Sequence, residues 1–369
     1  MPHRPWRQGV CIFVAGFVAV TGLFEVVVAS LFSMPPDARQ PEGGLVRYFS
    51  YGLSTEAKLD RTVGSADQEP TDIVKAGWIA AELKSPDDDW WSASLRYVFY
   101  GMSFTNKIAK DVADLDHGSA CIARAGPAAP LSHSYAMFES DPVRANAHVV
   151  VVGVLSSSLP HLQSMTGLGW TPESPAPFTF PMFRWQNDEL NRLDPVIQDR
   201  ETFVRAFRED SPLWQRHLAA VRQHDAYWDS IVFRRSALDH SALARLVRRA
   251  WASRKIRTVS DSIYHSDGAY DTSHPAIAAV PHLLQRMHES CRQHGQQLIV
   301  VLLHALGEPG RLDAWLADDL RDMGVKVVSS VDYFASTDGQ NFVDDGHYTA
   351  ANTAALARAV IAAIGREDL

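Results

Sequence analysis

The chain has 369 residues, 46% of them hydrophobic and 21% charged, and 35 Lys and Arg against 43 Asp and Glu leave a formal net charge of −8. This composition excludes a collagen-like, disordered or many-span membrane chain, and the acidic balance argues against a protein that wraps nucleic acid. Three cysteines are too few for a disulfide scaffold; Cys121 and Cys291 could bridge in an exported chain or be two unrelated buried thiols.

Residues 1–8 carry Arg4 and Arg7, and residues 9–33 are almost purely apolar, interrupted by Glu25. As a helix, that stretch matches a hydrocarbon core of about 30 Å. Arginines on its short side place residues 1–8 in the cytoplasm and the body outside it. The expectation is an uncleaved single-pass anchor in the inner membrane. Its rivals are a cleaved signal peptide, with Val27 and Ala29 before the cut, and a buried soluble helix. Pro35, Pro36, Pro41, Gly43 and Gly44 then stop the helix, and residues 34–89 read as linker and lead-in segment.

From residue 90 onward, apolar runs alternate with helical patterns. Leu95–Tyr100 reads as a strand, Thr105–Leu115 as a helix and Ser119–Ala123 as a second strand. His148–Leu155, β-branched at nearly every position, reads as a strand buried on both faces. Residues 156–275 are too long for a simple crossover. They hold a Pro- and aromatic-rich patch over 170–185 and charged amphipathic helices over 199–256, and are expected to form an insertion covering one end of the sheet. Ala276–His294 (helix), Gln297–Leu303 (strand), Leu312–Met323 (helix), Val325–Ser329 (strand) and Thr349–Ile364 (helix) complete the pattern. Strands separated by helix-length crossovers mean an α/β fold, here a five-stranded parallel sheet flanked by helices in three layers, over 90–369.

Ligands of such sheets meet the carboxyl ends of the strands. The first strand runs into Gly101-Met-Ser-Phe-Thr105 at the start of a helix, so Ser103 sits at the sheet edge beside helix N-terminal amides able to hold an oxyanion. Taken alone, Ser103 is as well explained as a helix cap. After the fifth strand comes Phe342-Val-Asp-Asp-Gly-His-Tyr348, in which Asp344 stands three residues before His347. That spacing lets a carboxylate reach one imidazole nitrogen while the other serves as general base, with Asp345 as the fallback orienter. The pattern gains its weight from lying at the same sheet end as Ser103.

Together these features resemble the SGNH hydrolase superfamily, the GDSL-type esterases and acetyltransferases, across about 90–155 and 275–365. Gly101-Met-Ser-Phe is similar to that family's first block. The resemblance implies Ser103 as nucleophile and oxyanion donor, the amide of Gly126 as second donor, and Asp344 and His347 as the rest of a triad. Met102 stands where the family has Asp, and the third block's Asn is missing, unless one of Ser156, Ser157 and Ser158 replaces it. The resemblance, with the anchor, further implies an O-acyl, and specifically O-acetyl, ester hydrolase or acyltransferase acting on an exported polysaccharide or envelope glycan. It would work without a cofactor or metal and without nucleic acid, within an envelope biosynthesis complex. The alternative is a catalytically silent glycan-binding or scaffold protein. His133 and Tyr135, just past Gly126, and His304, after the fourth strand, are candidates for lining the pocket. The 170–185 aromatics are candidates either for stacking on sugar rings or for covering the sheet.

Overall fold

A computed structural model describes residues 5–31, 46 and 50–365. Arg4 and the proline- and glycine-rich linker at 35–44 lie outside the described residues. The first helix, α1 (Pro5–Leu31), contains a 20-residue segment, Gly9–Val28, long and apolar enough to cross a membrane.

The body is built on five strands: β1 (Leu95–Gly101), β2 (Ser119–Ala125), β3 (Val149–Leu155), β4 (Gln297–Leu303) and β5 (Lys326–Ser329). They pair in the order β2-β1-β3-β4-β5, and every pairing is parallel. The predicted fold class is therefore observed. The chain reverses its direction of winding between β1 and β3, which in open α/β sheets opens a crevice at the strand ends.

Side chains alternate along the strands, so the sheet has two apolar faces. Tyr97, Phe99, Val151, Ile299 and Val301 pack under α2 (Ser103–Leu115) and α7 (Ala350–Ala363). Val98, Tyr100, Val150, Val300 and Leu302 pack under α3 (Leu131–Ser140), α5 (Pro275–Gln293) and α6 (Arg311–Asp322). Within the insertion, α4 (Ala242–Asp261) lies apart from the sheet and touches α1. Cys121 packs at the edge of the α2–α7 face and Cys291 lies in the opposite core, both as free thiols. The sheet separates them, which removes the bridge considered from sequence.

Residues 156–275 contain two features that periodicity did not reveal. Ala176–Thr179 pairs with Thr166–Gly167, and Met182–Gln186 forms a hairpin with Glu189–Leu193. Trp170, Phe178 and Phe180 join Trp78, Phe203, Phe207 and Trp214 in a third apolar cluster shared with Leu59 and Val63 of the lead-in helix Thr55–Val63. Phe183 is buried too, and the half-buried Trp185 stacks on His282 with ring centres 3.5 Å apart. The aromatic patch is thus mostly packing surface, the covering role expected of it from sequence.

Candidate active site

Ser103 is the first residue of α2, immediately past β1. Its position is fixed from below by Thr105. A Cβ on Gly101 would come within 2.2 Å of Thr105 Oγ1, and one on Gly153 within 2.0 Å. Those two glycines leave a notch in neighbouring strands into which the first turn of α2 sinks. Met102, where the resemblance leads one to expect Asp, is fully buried among the apolar residues beneath α2 and so seals this turn without charge. The helical hydrogen-bond ladder starts with Asn106 N–H to the Met102 carbonyl at 3.0 Å. The amides of Ser103, Phe104 and Thr105 precede that ladder, as the first donors of a helix do.

His347 reaches Ser103 from the other end of the chain. Its Nε2 lies 2.7 Å from Ser103 Oγ, so the hydroxyl is placed to donate to the ring. The loop that presents it is a tight turn. Phe342 and Tyr348 form an antiparallel bridge, Val343 N–H donates to the His347 carbonyl at 2.8 Å, and Gly346 takes a φ of 82°. A left-handed residue just before His347 folds the carboxylate of Asp345 back, where it accepts the His347 backbone N–H at 3.0 Å. The same oxygen comes within 2.9 Å of His347 Nδ1, close but bent for a hydrogen bond. Asp345, not Asp344, therefore faces the imidazole, and Asp344 is exposed on the outside of the turn. The His347 amide, and after it the His347 ring, hold the Asp345 carboxyl below its ordinary pKa. Phe104 packs against the His347 ring at 4.7 Å between centres and limits its rotation.

The predicted second oxyanion donor is otherwise engaged. Gly126 N–H donates to the Gly101 carbonyl at 3.2 Å, continuing the β1–β2 ladder by one residue. What Gly126 provides is clearance: a Cβ there would meet His133 Cε1 at 2.8 Å and Ala129 Cβ at 2.9 Å. His133 is fully buried, donates from Nε2 to the Gly77 carbonyl at 2.7 Å and sits edge-on to Phe178 and Phe180. Burial lowers its pKa to about 4. Tyr135 is part of the sheet core, against Phe138 and Phe183, and burial, then Glu139, pushes its hydroxyl up to about 12. His133 and Tyr135 are both packed into the interior, at 0% and 3% exposure. Both follow β2 in sequence, but α3 turns them inward to the core.

His304 is also buried, yet it bears on the site indirectly. Its Nδ1 pairs with Ser330 Oγ at 2.9 Å, and Asp313 Oδ2 lies 2.8 Å from Nε2, close but, like Asp345 to His347, bent for a hydrogen bond. Its carbonyl accepts from Tyr348 Oη at 2.8 Å, which anchors the residue next to His347. Of the three serines after β3, Ser156 Oγ accepts the Ala305 amide and Ser158 Oγ donates to the Leu155 carbonyl, leaving Ser157 exposed. Phe104, Tyr348 and Ser330 were not singled out from the sequence. Only the adjacency of Phe104 and Tyr348 to Ser103 and His347 carried a signal.

No protein-family model matches the chain, and no curated protein matches it in sequence. Among solved structures it is similar to a Bacteroides fragilis NCTC 9343 protein described as "a putative acylhydrolase". The identity is 12% and the TM-score 0.36, covering 78% of this chain and 92% of that one. So distant a likeness says nothing of this chain's chemistry, which is read from its own side chains.

Proposed function

We propose that the chain is a serine-dependent O-acyl ester hydrolase or acyltransferase with an SGNH-like site. The observation that carries this reading is the 2.7 Å contact between Ser103 Oγ and His347 Nε2 at the carboxyl end of the sheet. A serine hydroxyl is a weak nucleophile at neutral pH and needs a base at this distance. In the proposed reaction Ser103 Oγ attacks the acyl carbonyl and His347 takes the hydroxyl proton. The Ser103 amide then holds the oxyanion, with Ser157 as its second donor in place of Gly126. His347 returns the proton to the departing sugar oxygen, and water or a second sugar hydroxyl afterwards removes the acyl group from Ser103. Asp345 orients the imidazole.

In this reading α1 spans the inner membrane with the body on the periplasmic side, as Arg4 and Arg7 favour. The substrate is an O-acetylated exported polysaccharide or other envelope glycan, met within an envelope assembly. One observation favours a second reading, a silent glycan-binding module: the Gly126 amide is committed to Gly101, and removing one oxyanion donor typically costs ~10²–10³ in rate. A serine-directed phosphonate separates the two. Enzyme chemistry expects covalent labelling at Ser103 that Ser103→Ala abolishes; an unlabelled, fully folded protein would leave the binding module.

A further inference from the structure

Glu25 is the only charged residue between Gly9 and Val28. A carboxylate inside an apolar span is expensive and is retained only where it has a partner. Its partner here is the N-terminus of α4. Glu25 accepts from Ser241 Oγ at 2.5 Å, from Ala242 N–H at 2.6 Å and from Leu243 N–H at 2.9 Å. Ser241 in turn accepts Ala244 N–H at 3.1 Å, so the unpaired amides of the first turn of α4 are all satisfied. The charge also suits the positive end of the helix dipole.

This contact fixes a depth. Glu25 precedes Val28, the end of the apolar segment, by three residues, or roughly 4–5 Å along the helix. If α1 crosses a bilayer, the first turns of α4 lie at the bilayer surface on the far side from Pro5. What α4 presents there is apolar. Leu243, Val247 and Trp251 recur at helical spacing, with Val247 68% and Trp251 48% exposed. Leu238 and Ile231 lie exposed just upstream, and Arg254 continues the stripe of α4. Trp is enriched at membrane–water interfaces, and an Arg beside it can reach the headgroup layer.

We propose that Leu238, Leu243, Val247 and Trp251 rest in the headgroup layer of the bilayer that α1 spans, with Glu25 latching α4 at that depth. The body would then be held against the membrane at a fixed depth. The proposal depends on α1 spanning a membrane, and its test separates the two claims. Spin labels are placed singly at Val20→Cys in α1, Val247→Cys and Ser253→Cys in the full chain carrying Cys11→Ser, reconstituted in phospholipid vesicles. Collisions with oxygen, enriched in lipid, and with a water-soluble nickel chelate are then compared. The expected result is oxygen-rich, nickel-poor contact at 20 and 247, and the reverse at 253. Nickel access at 247 equal to that at 253 overturns the proposal. Shielding of 247 from both reagents overturns it in favour of a protein partner. Nickel access at 20 overturns the span itself. Glu25→Leu keeps α1 apolar, and should speed hydrogen exchange of the Ala242 and Leu243 amides at least tenfold and raise nickel access at 247. No change in either would overturn the latch.

Discussion

Two loops at the same end of the sheet contain family-like motif residues, and the fold treats them in opposite ways. The 342–348 turn stays at the surface, keeps a positive-φ glycine at its bend and delivers His347 to Ser103. The 126–133 segment is drawn inward: Gly126 is joined to the sheet and His133 is buried against Gly77 and two phenylalanines. Ser103 and His347, the proposed nucleophile and base, therefore stand within hydrogen-bond reach, while the Gly126 side proposed from sequence for the oxyanion has become structure. A short motif gives a residue's place in the chain but not whether its polar atoms are free.

The largest expected effect lies on the surface side. Ser103→Ala and His347→Ala should each lower kcat on a small acetyl ester by ~10³-fold or more, and the double variant should be hardly worse, because the pair acts as a unit. Additive losses would mean that the two side chains do not work together.

The buried side should answer to pH and volume instead. His133 keeps its ring neutral down to about 4 in the fold, against 6.5 in an exposed chain. Between those values the unfolded state binds the extra proton. Stability is then complete above pH 6.5 and falls as the pH drops toward 4, by at most about 3 kcal/mol for this one group. His161 and His217, buried and shifted to about 3 and about 4, add to the same slope. Urea unfolding at pH 7 and pH 5 should show His133→Gln, which keeps a donor for Gly77, losing about one proton of that dependence. Gly126→Ala should cost ~1–3 kcal/mol through overpacking against His133, yet leave kcat of the folded fraction within about twofold; a large kcat loss at full stability would return Gly126 to the oxyanion site.

The five core strands were legible within about two residues because strands buried on both faces must be apolar and β-branched, a pattern that needs no tertiary information. The hairpin at 182–193 was not, since its exposed outer strand reads as polar loop. Ser103 and His347 were legible because each immediately follows or precedes an element with a clear period. His133, Tyr135 and His304 were misplaced for one reason: sequence put them near strand ends but could not show which way a following helix or loop turns them. The role of Gly126 depends on clearance from a side chain seven residues away, which only the fold defines.

The same limit divided the two neighbouring aspartates, and they give the finest test of the comparison. Asp344 has the offset that the resemblance implies, but the left-handed Gly346 sends it outward and brings Asp345 to the imidazole. Asp345 remains 64% exposed, and its approach to Nδ1 is bent. Water therefore screens much of what a buried orienting carboxylate would contribute. Asp345→Asn should consequently lower kcat by only about tenfold, far less than the loss of a buried triad aspartate, with KM little changed. Asp344→Asn should leave kcat within about twofold. Steady-state kinetics of the two variants on one ester decide the matter: a larger loss at 344 than at 345 would mean that the turn rearranges when substrate binds.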